Sequence, residues 1–221
     1  GIPIAHIHGG EKTFTVDEVA RHAITKMAHI HLAATKESAR RIKKMGEEAW
    51  RIHIVGAPAL DVILNENLPS RRVLLKKLHL DPAKKFILVL QHPVSEEWRD
   101  AGRQMEATLA AVKWFDLPVV VVYPHADPGG RKIIKVIEKE RGNPLFHIFR
   151  SLTYPDFLAL EREAAVWVGN SSAALIESSS FKIPVVNIGM RQFGREHGEN
   201  VINVSYKIAE IKKAVAKFLN D

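Results

Sequence analysis

The sequence has no cysteine in its 221 residues, only 7% aromatic residues and no long apolar run. The first absence excludes disulfides and thiolate metal ligands, and it leaves the redox compartment open. The second argues against the aromatic stacking platforms that bind single-stranded nucleic acid. The longest apolar stretches, "FILVL" and "LPVVVVY", fall far short of the roughly 20 residues a membrane-spanning helix needs. The start also lacks the charged, apolar and small-residue succession of a secretory signal. The expectation is a cytoplasmic protein without a membrane partner.

What is present is charge and alternation. The 32 Lys and Arg outnumber the 25 Asp and Glu for a formal net charge of +7, a balance that suits an anionic ligand. The basic residues are dispersed in "RRIKKMGEEAWR", "RRVLLKKLHLDPAKK" and "EIKKAVAKF", interleaved with acids or with helical apolar spacing. They read as solvated helix faces, and no nucleic-acid partner is expected. Strand-like and helix-like segments alternate along the whole chain, the pattern of a parallel α/β protein. "IPIAHI", "IHLAA" and "RIHIVG" read as strands around helices at 17–28 and 36–46. "NENLPSRR" reads as a linker, and a second series follows with strands "FILVLQ", "PVVVVY", "LFHIF", "AVWVGN" and "PVVNI". Its helices are expected near 95–114, 130–140, 155–163, 172–180 and 207–219. The β-branched runs indicate strands buried on both faces.

The domain reading is therefore 1–56 for a first unit and 57–221 for a second. Three parallel strands and two helices bury too little surface to stand alone. The first unit reads as the later part of a domain, completed by an absent front half or by a homo-oligomeric neighbour.

Ligands of open α/β sheets bind beyond the carboxyl ends of the strands, and polar clusters lie at those ends. In "VGNSSAALIES" a strand ends at Gly169-Asn170, and Ser171 and Ser172 open a helix of small residues. That is either a phosphate-binding turn or a plain Ser-capped helix. Glu177 lies far enough along to accept from ribose hydroxyls. "NIGMRQFGREHGEN" offers Arg191 and Arg195 to a phosphate. His92 in "LQHP", and His125 with Asp127 in "YPHADPGG", sit at other strand ends. In the opening stretch, Thr15 and Glu18 have capping-box spacing. Glu18 and His22, like Asp17 and Arg21, are spaced to share a helix face. With His6 and His8 they form a candidate acid–base cluster. An H-x-H at a strand end also begins many metal-dependent hydrolases. That alternative needs a barrel with further ligands and leaves the 169–172 turn without a role, so no metal is expected.

"HIHGGE", "VDEVARHAITKMAHIHLAAT", "VGAPALDVI", "LQHPV", "VGNSSAALIE" and "NIGMRQFGREHGENVI" occur in this order over nearly the whole chain. The ordered set resembles the UDP-N-acetylglucosamine 2-epimerases, most nearly the hydrolysing type that feeds sialic-acid-like sugar synthesis. The resemblance implies an α/β protein of two Rossmann-like domains of glycosyltransferase B type, here with the first only partly present. It implies conversion of UDP-GlcNAc and water to N-acetylmannosamine and UDP, through C2 deprotonation, UDP elimination and water addition, with no cofactor. A UDP-linked diacetamido-trideoxy sugar is the alternative substrate, and a non-catalytic nucleotide-sugar-binding module the alternative class. By position the resemblance places His6, His8, Asp17, Glu18 and His22 on the catalytic side, and His92 near the reacting sugar and phosphate. It places Ser171 and Ser172 at the diphosphate, Glu177 at the ribose, Arg191 at the nucleotide and Phe157 near the uracil. His125 stands where the family often has Asn.

Two departures stand out. His8 replaces the Glu of H-x-E-G-G, which leaves His8, Glu11, Asp17 and Glu18 open as the base. Family members also carry on the order of a hundred residues before this point, comparable to a small domain, and a last helix beyond Asp221. The expectation is a fragment that keeps UDP-binding residues and has little or no epimerase activity alone.

Overall fold

The apolar runs become strands wherever Gly, Pro or polar turns bound them, and the 3.6-residue patterns between them become helices. The computed structural model describes residues 1–220. The chain begins with β1 (Ala5–Ile7), α1 (Val16–Met27), β2 (Ile30–Ala33), α2 (Lys36–Lys44), β3 (Ile52–Ile54) and α3 (Pro58–Asn65). It continues with α4 (Arg71–Lys77), β4 (Ile87–Leu90), α5 (Ala101–Lys113), β5 (Val119–Val122), α6 (Gly130–Lys139), β6 (Phe146–Phe149) and α7 (Tyr154–Glu163). Then follow β7 (Val166–Gly169), α8 (Ser172–Ile176), α9 (Ser178–Phe181), β8 (Val185–Ile188), β9 (Val201–Val204) and α10 (Ile208–Asn220). Every strand pairing is parallel, so the fold is α/β with parallel sheets, as the alternation predicts. Contacts group Gly1–Asn65 with Gln192–Arg195 as one unit, and Glu66–Arg191 with the chain from Glu196 on as another.

In the first unit β1, β2 and β3 lie side by side. Ala28, Ala33 and Ile42 are buried in this unit, together with a polar hub at Glu47. That carboxylate accepts from Lys26, from Arg51 at 2.9 Å and from the fully buried His31 at 3.2 Å. Lys26 of α1, His31 of β2 and Arg51 from the turn before β3 thus converge on one anion, and its full pairing is what lets it be buried.

The second unit carries a six-stranded sheet in the order β6-β5-β4-β7-β8-β9, the order of a dinucleotide-binding domain. Successive residues point to opposite faces, and each face has its own core. Ile87, Val89, Val119, Val121, Val166 and Val168 pack with residues of α5, α6 and α10. Leu88, Leu90, Val120 and Trp167 pack with residues of α4, α7 and α8. Each fully buried aliphatic side chain contributes about 1.5–3 kcal/mol relative to exposure, which is why unbroken β-branched runs mark these strands.

Several expectations need correction. The second series has six strands, not five: β9 was hidden in the polar loop after β8. "VINV" is an edge strand of mixed burial, so it lacks the continuous apolar signal of the central strands. The stretch "NENLPSRR" is linker only as far as Ser70, because α4 begins at Arg71. The helix expected at 95–114 is a short 3₁₀ turn at Ser95–Glu97 followed by α5. The helix expected at 172–180 breaks at Glu177 into α8 and α9.

Candidate active site

Strand order reverses in the second unit between β4 and β7, and a crevice at that switch point is where open α/β sheets bind ligands. Gly169 ends β7 at φ 149°, and a Cβ there would overlap the carbonyl oxygen of Leu90 on β4. The two strand ends can come this close only because residue 169 is glycine. The fully buried Asn170 then ties the junction together. Its Oδ1 accepts from the His92 backbone N–H at 2.7 Å, and its Nδ2 donates to the His92 carbonyl at 2.9 Å. These complementary partners also fix which way the amide points.

The cluster grows outward from that bridge. The His92 ring is 2% exposed and stacks on the His125 ring, with centroids 4.1 Å apart and planes 5° from parallel. The His125 backbone N–H donates to His92 Nδ1 at 3.1 Å. Burial, with Arg191 and His125 beside it, pushes the His92 pKa down to about 2. The ring is therefore a neutral imidazole whose Nδ1 accepts and whose Nε2 carries the hydrogen. Arg191 donates to the Asn170 carbonyl at 3.1 Å. Ser171 and Ser172 follow Asn170 directly, with Ser171 buried at the start of α8 and its side chain making no capping bond. His92, His125, Ser171, Ser172 and Arg191 thus gather around Asn170.

Phe157 and Glu177 occupy the neighbouring region of the same unit. Phe157 packs edge-on against Trp167 at 6.0 Å, half-buried on the core of that face. Glu177, at the break between α8 and α9, is 8% exposed and adjoins the fully buried Glu161. Three residues of this unit carry no sequence signal of their place in the cluster. Asn170 reads only as a strand end. Tyr206 lies close to Asn170 and Arg191, with its hydroxyl pKa raised by burial. Glu161 sits in a stretch of alternating charge that gives no hint of burial.

In the first unit the opening stretch folds into a second polar cluster. His8 ends the strand at φ 63°, in the left-handed region, while its backbone N–H still pairs with Leu32 of β2 at 2.8 Å. That backbone turns its side chain toward Glu11, Nε2 to Oε1 at 3.2 Å. The other Glu11 oxygen accepts from Arg195 at 2.6 Å, with the Arg195 side chain 7% exposed. Burial alone would raise the Glu11 pKa, but the neighbouring His8 ring and the Arg195 charge outweigh it and hold the carboxyl below its ordinary range. Glu11 is therefore an anion fixed by Arg195, with the His8 ring beside it.

His6 faces elsewhere. Its Nδ1 is 3.1 Å from the Thr25 hydroxyl, which donates its single hydrogen to the Arg21 carbonyl at 3.0 Å. With the Thr25 hydrogen assigned to that carbonyl, the neutral His6 ring donates through Nδ1 and carries no hydrogen on Nε2. Burial, with His31, Arg21 and His22 nearby, lowers its pKa. Glu18 and His22 meet as their spacing predicts, at 3.7 Å.

Other details of this stretch differ from expectation. Helix α1 does start after Thr15, but no capping box closes: the Thr15 side chain makes no cap bond, and Glu18 accepts from the Thr13 N–H at 2.7 Å. Asp17 is exposed and bonded to the Thr15 hydroxyl at 3.2 Å. Arg21 turns to the Glu11 carbonyl at 3.3 Å in place of Asp17. Arg195, offered by the sequence to a phosphate, is committed to Glu11. His6 and His8 point to different partners, and among the described residues no group of three or more His, Asp or Glu side chains is arranged to hold a metal ion.

Comparison with known proteins agrees with this architecture. A family model described as UDP-N-acetylglucosamine 2-epimerase matches residues 1–221. A Legionella pneumophila protein named UDP-N,N′-diacetylbacillosamine 2-epimerase (hydrolyzing) is 38% identical over 219 residues, 99% of this chain and 58% of its own length. A Neisseria meningitidis UDP-N-acetylglucosamine 2-epimerase is 32% identical over 212 residues, 96% of this chain and 56% of its own length. The chain thus spans little more than half the length of these relatives. Among solved structures, the S. aureus MnaA–UDP complex is similar with a TM-score of 0.78 at 22% identity, covering 100% of this chain and 60% of that one. The Methanocaldococcus jannaschii UDP-GlcNAc 2-epimerase bound to UDP-GlcNAc and UDP is similar with a TM-score of 0.78 at 20% identity, covering 100% and 63%. These structures speak to the fold; the family match over every residue and the 38% identical relative speak to descent. The chain belongs to the UDP-N-acetylglucosamine 2-epimerase family.

Proposed function

We propose that this chain carries the UDP-binding domain and part of the acid–base machinery of a hydrolysing sugar-nucleotide 2-epimerase, with the second unit, Glu66–Arg191 and the chain from Glu196 on, as the nucleotide domain in place of the 57–221 expected from the sequence. The observation that carries the reading is the constellation at the β4/β7 switch point, where His92, Asn170 and Arg191 are locked together. A diphosphate placed there would meet the Arg191 cation, the His92 Nε2–H and the N–H groups at the start of α8. Glu177 would accept from the ribose hydroxyls, and Phe157 would lie near the uracil. His92, kept neutral, suits donation to a phosphate oxygen as charge develops on the departing UDP.

In the reaction, a base takes the C2 proton and the C2–H electron pair forms the C1=C2 bond as the C1–O bond breaks. UDP leaves with that bonding pair. Water then adds across the glycal, hydroxyl to C1 and hydrogen to C2 from the opposite face, to give the free 2-epimer. We assign the base to His8. Its Nε2 lies 3.2 Å from the Glu11 carboxylate; a bond closed there on substrate binding would leave Nδ1 to take the proton, in the manner of a base oriented by a third group. His6, Glu18 and His22 support that wall; the exposed Asp17 is the least engaged of the set.

The substrate reading is UDP-GlcNAc, giving N-acetylmannosamine. The higher identity to the Legionella protein than to the Neisseria one favours a second reading, a UDP-linked diacetamido-trideoxy sugar. Calorimetric titration with UDP tests the binding half, and absence of binding would sink it. Incubation with each sugar nucleotide, followed by chromatography, tests the chemistry. Free UDP with a free 2-epimeric sugar supports hydrolysis, a UDP-linked 2-epimer identifies the non-hydrolysing reaction, and binding without turnover fits a chain that holds the UDP site and only part of the catalytic machinery.

A further inference from the structure

Glu161 on α7 is fully buried, and no N–H or hydroxyl donor among the described residues reaches either of its carboxyl oxygens. It adjoins the carboxyl group of Glu177, which is itself 8% exposed and has a buried oxygen, Oε2, likewise without such a donor. Two carboxylates side by side in a dry interior cannot both be ionised. One proton must lie between them, and no other group among the described residues satisfies these oxygens. Glu161 is the more enclosed of the two, so it is the one that keeps the hydrogen. Burial and the neighbouring Glu177 carboxyl both push its pKa up.

We propose that Glu161 is a positioning residue for nucleoside recognition: as a carboxylic acid it donates to Glu177, fixing that side chain so that its other oxygen accepts from the ribose diol. The inference rests on the UDP-binding reading and extends it to a residue that does not touch the nucleotide. Unanchored, the Glu177 side chain would sample several rotamers and lose part of its discrimination for a hydroxylated sugar ring. The arrangement differs from a merely space-filling Glu161, because only the donor is required and not the charge.

The test measures binding of UDP and of 2′,3′-dideoxy-UDP to the whole chain by calorimetry, for wild type, Glu161→Gln and Glu161→Leu. Wild type is expected to prefer UDP. Glu161→Gln, whose amide still donates to Glu177, should keep that preference within about twofold. Glu161→Leu should weaken UDP binding by about 3- to 10-fold, the range of a single hydrogen bond, while leaving the dideoxy analogue within about twofold. An undiminished UDP preference in Glu161→Leu overturns the role of Glu161 and leaves the UDP reading intact. Failure of wild type to bind UDP overturns that reading itself. Should the Leu variant not fold, the infrared difference spectrum between wild type and Glu161→Gln at neutral pH decides. A protonated-carboxyl band lost in the Gln variant supports the proposal, and its absence from wild type overturns it.

Discussion

The backbone N–H of His125 donates to Nδ1 of His92 at 3.1 Å, so a main-chain group at the end of β5 sets the tautomer of a buried ring at the end of β4. Nitrogen-15 NMR of the imidazoles should find His92 as the Nε2–H tautomer, neutral throughout the physiological range. His6 should be found as the opposite, Nδ1–H tautomer.

Stability should follow from the same ring. A histidine whose pKa falls from about 6.5 in the unfolded chain to about 2 when folded takes up its proton first in the unfolded state. The unfolded chain binds more protons between these values, so the contribution is present above pH 6.5 and is lost as pH falls through that window. Denaturant midpoints of wild type should decline on acidification below about pH 6.5, and His92→Asn should flatten the decline.

The Asn170 side chain supplies two of the hydrogen bonds that join the strand ends, both to the His92 backbone. Asn170→Ala should destabilise the chain by about 2–3 kcal/mol in urea unfolding, because it leaves a buried N–H and C=O of His92 unpaired. Asn170→Asp should do no better, since it replaces the donor to that carbonyl with an acceptor.

Removing Arg195 strips its partner from the mostly enclosed Glu11 carboxylate. Arg195→Ala should cost about 3 kcal/mol, and the double variant with Glu11→Ala should cost less than the sum of the single changes. The coupling, read from a double-mutant cycle of urea midpoints, should exceed about 1 kcal/mol.

For nucleotide binding, Arg191→Ala should weaken UDP affinity by about tenfold or more, the scale of a hydrogen bond to a charged group. Arg191→Lys should recover part of it, since the charge remains and the planar fork does not. Calorimetric titration with UDP reads both.

Much of the fold was legible because the central strands are continuous apolar runs: β4, β5, β7 and β8 are buried at every residue. β9 was not legible, because at a sheet edge only Val201 is buried and the signal fades into the loop. Residues at strand ends were legible as candidates, since topology rules say where ligands bind. What they bond to was not. The Arg195 partner lies 184 positions away, and nothing local distinguishes a guanidinium bound for a phosphate from one bound for Glu11. Likewise the i,i+4 rule found the Glu18–His22 pair but misassigned Arg21, because a backbone carbonyl in the preceding loop outcompetes Asp17.

The close approach at Gly169 has a genetic corollary. Every missense change in its codon adds a Cβ, and even the smallest addition would overlap the Leu90 carbonyl. No single step leads from this junction to an equivalent one. Drift at position 169 must be preceded by a change elsewhere that moves β4 away from β7, and such a change would itself disturb the bridge between His92 and Asn170. The three positions should therefore change together or not at all in a library selected for UDP binding.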